Sequence, residues 1–241
     1  MSRAFEYPAM YWVGMNVTGA SAQELDAFNR HYNEVHAPEV LALEPGPVLV
    51  HRYRLVDPDP RGRLGPDWLC VYEFADTTAA DVYLKRQWGP PAGRPSFTPG
   101  PPVWTDKKVT VWRILWHRVA TRGEASGMPE LLRMVGMDPA ADHTEAELDA
   151  FNEHYTNVHL AEAMASVPYG HGSRHVLGAG FDPQPASTPR YCAVYEAAVA
   201  ELDDVRTALT TNGTRPPNPG EPRAWRERRV AWRLSYERVP V

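Results

Sequence analysis

Short runs of apolar and polar positions alternate along this chain, and the alternation repeats. Met10 to Val17 is apolar and rich in strand formers, which predicts a first strand. Ser21 stands three residues before Glu24, a capping-box spacing, and opens a helix that runs to about Leu43 and stops at Glu44-Pro45-Gly46-Pro47. Val48 to Val56 and Trp68 to Phe74 read as strands, and Thr77 to Trp88 as a second helix. A proline- and glycine-rich loop, Gly89 to Pro102, leads to a closing strand from Val109 to Val119. The second half follows the same order: a strand near 131–137, a helix at 144–166, strands near 172–178 and 190–197, a helix at 199–211, a loop at 212–224 and a strand at 226–239.

The halves share residues as well as pattern. Glu24 to His36 recurs as Glu147 to His159, an offset of 123, with ten of thirteen positions identical. Val13-Gly14-Met15 returns as Val135-Gly136-Met137, and Trp112-Arg113 as Trp232-Arg233. The offset drifts by one to three residues, as loop insertions and deletions between fixed elements would produce. The expected organisation is two modules, 1–122 and 123–241, each βαββαβ and ferredoxin-like with both helices on one face of an antiparallel sheet. The strand at 68–74 is apolar on both sides, with Trp68, Cys70, Tyr72 and Phe74 on one and Leu69 and Val71 on the other. A sheet that needs cover on both faces predicts an α+β fold in which the two sheets pack open face to open face as a barrel-like sandwich, with an enclosed space between them.

At about 100° per residue, Leu25, Asn29, Tyr32 and His36 fall within roughly a 60° arc of the first helix, beside Phe28 and Val35. This is the buried face, so Asn29, Tyr32 and His36 must find partners or line a cavity. Asn152, Tyr155 and His159 repeat the arrangement. Histidine suits acid–base work near neutral pH, which makes His36 and His159 the candidate catalysts, with Tyr32 and Tyr155 as donors or orienters. Candidate substrate contacts are Asn29, His51, Trp68, Cys70 and Tyr72 in the first half, and Asn152, His175 and Tyr195 in the second. The bland reading of each is a satisfied core or interface group. The first half, with Cys70, Trp68 and Tyr72 on one strand face, is the favoured working half. The basic run Arg223 to Arg229 reads as a solvated strand entry.

Composition removes several classes. A net charge of −5 and a pI near 6.0 give no electrostatic case for nucleic acid or anionic membrane. No apolar run approaches the roughly 18 residues a membrane span needs. The first residues lack the apolar stretch of a signal peptide, so a cytoplasmic location is expected. Cys70 and Cys192 form neither a disulfide framework nor a zinc spacing. His31 and His36, five apart, diverge by about 140° on an α-helix, so no metal site is expected.

Phe28-x-x-His31-Tyr32-x-x-x-His36-x-Pro38, on the first helix of such a module, resembles the EthD-like branch of the dimeric α+β barrel superfamily. The second copy keeps Phe151, His154, Tyr155 and His159 but has Ala161 in place of proline. The resemblance implies a fused pseudo-dimer, monomeric or pairing again as a homodimer. It also implies a small-molecule enzyme without a cofactor: a cyclase, isomerase or monooxygenase acting on a hydrophobic aromatic or polyketide-like substrate. A non-catalytic ligand-binding or assembly protein is the alternative. A haem protein is the lesser one, because neither second helix carries histidine.

Overall fold

The structure, a computed structural model, describes residues 5–62, 64–124, 127–181, 188–212 and 218–239. The first half runs β1 (Ala9–Val17), α1 (Ala22–His31), a π-helical turn (Tyr32–His36), α2 (Ala37–Leu41), β2 (Leu49–Asp57), β3 (Trp68–Phe74), α3 (Thr77–Trp88), α4 (Pro102–Asp106) and β4 (Lys108–Gly123). The second half runs β5 (Leu131–Asp138), α5 (Glu145–His154), a π-helical turn (Tyr155–His159), α6 (Leu160–Ser166), β6 (His171–Gly180), β7 (Tyr191–Ala197), α7 (Leu202–Asn212), α8 (Arg223–Arg226) and β8 (Arg229–Val239). Both long helices open on capping boxes, Ser21 with Glu24 and Thr144 with Glu147, so the reciprocal bonds at this spacing form in each copy. The short helices α4 and α8 fall where the sequence pattern gives a loop and a strand entry. Part of the loop at 212–224 lies outside the described residues.

The eight strands close into one antiparallel barrel in the order β1-β3-β2-β8-β5-β7-β6-β4. The first four elements of sheet are ordered β4-β1-β3-β2 and the second four β8-β5-β7-β6, the same arrangement twice. Two seams join them: β2 pairs with β8 from Arg52 opposite Val239, and β4 pairs with β6 from Ile114 opposite Gly180. Closure leaves no edge strand exposed.

Alternation along each strand sorts the side chains into an inner and an outer layer. Trp12, Trp112, Trp116 and Trp232 meet inside the barrel with Leu69, Val71, Leu132, Met134, Val194 and Leu234. This packed interior corrects the expected enclosed space between the sheets: indole rings 5.3 to 6.5 Å apart fill it. The repeated Val-Gly-Met follows from this filling. A Cβ on Gly136 would sit 2.5 Å from the Trp232 ring, and one on Gly14 would sit 2.5 Å from Pro66. Both glycines border a register shift in the sheet.

The helices lie against the outer face. There Phe28, Tyr32, Cys70, Tyr72 and Phe74 form one cluster, and Phe151, Tyr155, Tyr191, Tyr195 and Trp225 form its counterpart. The space available for chemistry therefore lies outside the barrel.

Candidate functional site

The long helix of each half is not a uniform α-helix. At Tyr32–His36 and again at Tyr155–His159 it widens into a π turn, where Ala37 N–H donates to Tyr32 O and Leu160 N–H to Tyr155 O, five residues back. Such turns occur disproportionately at functional sites. The extra residue per turn changes which side chains share a face. His31 and His36 both lie against Trp104, with ring centroids 4.7 and 5.0 Å away. His154 and His159 lie against Trp225 at 4.9 and 4.5 Å. The 140° divergence expected of a regular helix does not hold. Among the described residues no group of three or more His, Cys, Asp or Glu is placed to hold a metal ion.

Beneath each π turn sits a buried arginine. Arg52 on β2 spreads over the Tyr32 ring at 4.1 Å and donates to Asn29 Oδ1 at 2.9 Å and to Asn33 Oδ1. Arg174 on β6 lies 4.4 Å over Tyr155 and donates to Asn152 Oδ1, and to Thr156 Oγ1 at 2.8 Å. Asn29 and Asn152 are thus occupied in holding arginine. Matching the two second strands by a constant offset of 123 would pair Arg52 with His175. The structure pairs it with Arg174, because Arg52 lies opposite Cys70 and Arg174 opposite Ala193. A slip of one residue moves a side chain to the other face of the sheet.

His51 and His175 consequently point into the barrel, and the expectation that they contact substrate is corrected. His51, 1 % exposed, has Nε2 at 2.7 Å from Glu73 and Nδ1 at 2.9 Å from the Tyr53 hydroxyl. His175 is fully buried, and burial is the main cause that lowers its pKa to about 3.

The remaining first-half candidates pack together. The Tyr32 and Tyr72 hydroxyls are 2.6 Å apart, beside the buried thiol of Cys70, and Trp68 contacts Phe28 at 5.9 Å. His36 is flanked by Trp104 and, from the Gly89–Pro102 loop, by Phe97, each 5.0 Å away. Tyr11 meets Phe181, whose ring stacks on the exposed Trp88 at 5.7 Å. Aromatic rings thus crowd the first-half candidates, with His36 itself half-buried.

The second half is open at the same place. A cavity of about 330 Å³ lies between β5, β7 and β8 and the helices α6, α7 and α8, with His159, Tyr169, Tyr195 and Trp225 in its wall. Arg133 stands on β5 where Tyr11 stands on β1, so a charged group with room in front of it replaces a packed ring. Arg228 caps the Trp225 ring at 4.0 Å. Burial first, then the charges on Arg228 and His154, lowers the His159 pKa to about 3, so its imidazole is uncharged at neutral pH. Among the described residues no hydrogen-bond partner of that imidazole is seen. Tyr155, 5.8 Å away, is fully buried, has a hydroxyl without a partner and is held protonated by desolvation.

His159 and Tyr195 are therefore the two sequence candidates that the structure brings to an open cavity. Arg133, Arg228, Tyr169 and Trp225 escaped the sequence reading. Trp225 is 1 % exposed, so the run Arg223 to Arg229 is not simply a solvated strand entry. The signal that could have found it is the recurrence of Trp104 as Trp225 within the repeat.

No family model and no curated protein matches the chain. Solved structures do. A chlorite dismutase variant from Candidatus Nitrospira defluvii, in complex with cyanide, superposes with a TM-score of 0.52 at 12% identity, over 96% of this chain and 90% of that one. A second variant of the same enzyme gives 0.50 at 11% identity, over 98% and 92%. What is shared is the fold. It is an eight-stranded antiparallel barrel with helices on its outer face. Chlorite dismutase is a haem-binding protein, and this overturns the expectation of a site without a cofactor.

The residues of the second-half cavity do not suit haem. His159 offers a neutral imidazole, but the buried Trp225 ring packs 4.5 Å from it and carries Arg228 on its face. At about 330 Å³ the cavity is at the small end of the range for drug-sized ligands, roughly 300–1,000 Å³. A porphyrin ligated by His159 does not fit this arrangement.

Proposed function

We propose that the chain is a small-molecule enzyme of the EthD-like type, a fused pseudo-dimer of two ferredoxin-like modules. In this reading it acts on a hydrophobic aromatic or polyketide-like substrate in the second-half cavity, by proton transfer at His159. One observation carries the reading. His159 presents an uncharged, partnerless imidazole to a cavity walled by aromatic rings. The likeness to chlorite dismutases supports an enzyme only by analogy of fold.

Each residue has a part in this scheme. Tyr195 and Trp225 give flat surfaces for an aromatic substrate. His159 takes a proton from an activated carbon, so that the C–H bond breaks and its electron pair stays on the substrate as an enolate. The same proton returns to another carbon of the enolate to complete an isomerisation, or, where the enolate carbon attacks a carbonyl of the same molecule and closes a ring, to the alkoxide oxygen that this leaves. Arg174 holds the π turn in place through Asn152 and Thr156, which makes it a positioning residue.

The test is deuterium incorporation from D₂O into an aryl 1,3-diketone, a carbon acid of the proposed class. His159→Ala is expected to lower kcat/KM for exchange by about 10²–10⁴-fold, with a smaller effect of His36→Ala. The pH profile of kcat/KM is expected to be flat between about pH 8 and 5, because the free imidazole takes up a proton only near pH 3. Exchange that is unaffected by His159→Ala removes the proposal.

A further inference from the structure

The second-half cavity is built around positive charge, and that charge is incompletely satisfied. Four arginines, Arg133, Arg226, Arg228 and Arg233, stand in its wall against two glutamates, Glu162 and Glu221. Arg133 spends one terminal nitrogen on Ser235 Oγ at 3.1 Å, and Arg228 spends one on Trp225 O at 2.6 Å. The Nε atoms of both are buried without a partner among the described residues. So are the hydroxyls of Tyr169 and Tyr195, side chains only 8 % and 3 % exposed that stack on each other at 4.9 Å in the same wall. Buried donors without acceptors are expensive, and each asks for a group that the chain does not supply.

We infer that the ligand of this cavity is an anion, an aryl carboxylate or similarly charged aromatic, whose oxygens meet the guanidinium groups of Arg133 and Arg228 while its ring lies along Trp225. The inference rests on the proposed reading of the cavity as the substrate site and names the substrate's charge. Like charges held together explain why a negative ligand is wanted. Burial first, and the charge of Arg233 after it, lowers the proton affinity of Arg133 and Arg228, while burial and then the charge of Arg228 lower that of His159. A carboxylate set among them relieves this repulsion. It also raises the basicity of His159, so that the base strengthens when the right substrate binds. The first half keeps part of the arrangement, with Lys108 over Trp104 at 4.0 Å and Arg113 beside Trp88, but has Tyr11 in place of Arg133, with Phe181 against its ring.

The experiment compares 1-naphthoate with its neutral counterpart 1-naphthamide by titration of the full chain, followed by tryptophan fluorescence and calorimetry. Naphthoate is expected to bind about tenfold tighter or better, with the advantage shrinking at high salt. Arg228→Gln and Arg133→Gln are expected to remove the preference, Arg228→Lys to retain part of it, and Arg113→Gln in the first half to leave it intact. If either glutamine variant does not fold, the other decides. Equal binding of the two probes would overturn the anion assignment and leave the cavity reading standing. Binding of neither would overturn both. A preference that survives both glutamine variants but is lost in Arg113→Gln would overturn the location.

Discussion

Replacing Trp232 with alanine is expected to lower the unfolding free energy by about 3–5 kcal/mol. The side chain is fully buried and sits in the middle of the barrel, 5.3 Å from Trp112 and 6.5 Å from Trp12. Its indole N–H has no partner among the described residues, so the loss comes from packing and not from a broken hydrogen bond. Neighbouring strands are locked into a closed ring and cannot collapse onto the hole, which places the effect toward the top of the range. Urea denaturation followed by circular dichroism measures it, and by thermal melting the midpoint should fall by roughly 6–20 °C. The folded variant should still bind ligand on the outer face of the barrel. A loss below about 1 kcal/mol would mean that the interior is loosely filled and could be a chamber after all.

Glu73→Ala is expected to be as damaging, for a different reason. Glu73 is fully buried, meets His51 Nε2 at 2.7 Å and accepts from Phe5 N–H at 2.8 Å. Removing one member of a buried pair leaves the other without compensation and costs about 3–5 kcal/mol. Glu73→Gln should cost less, because an amide oxygen can still accept from Phe5. The second half supplies the control. Glu196 meets His171 at 2.7 Å, but this pair borders an open hollow of about 380 Å³ where water can take over the lost contacts. Glu196→Ala should therefore be clearly milder than Glu73→Ala. Equal losses in parallel unfolding curves would contradict this account of the first pair.

The repeat made the architecture legible. Two copies of a βαββαβ pattern, with strands apolar on both faces, require two sheets that cover each other, and the barrel does so. The helices bearing His36 and His159 were legible too, the first down to its capping box at Ser21 and Glu24, because local hydrogen bonding decides it. The π turns were not. No residue type marks them, yet they bring His154 and His159 to one tryptophan. The second strands misled because a shift of one residue exchanges inside for outside: Arg52 and Arg174 reach the helices, while His51 and His175 are enclosed. The choice of half was hidden for a similar reason. It turns on where Phe97, Phe181 and Trp88 pack, and periodicity within the chain does not show which distant rings meet. The cofactor expectation came from resemblance alone, and proteins of the same fold overturn it.

The most direct test of the central claim, that the site lies outside the barrel in the second half, is a crystal structure with the aryl diketone of the exchange assay bound. Density for the ring is predicted between His159, Tyr195 and Trp225. Density inside the barrel among Trp12, Trp116 and Trp232, or in the first half beside His36, would contradict it.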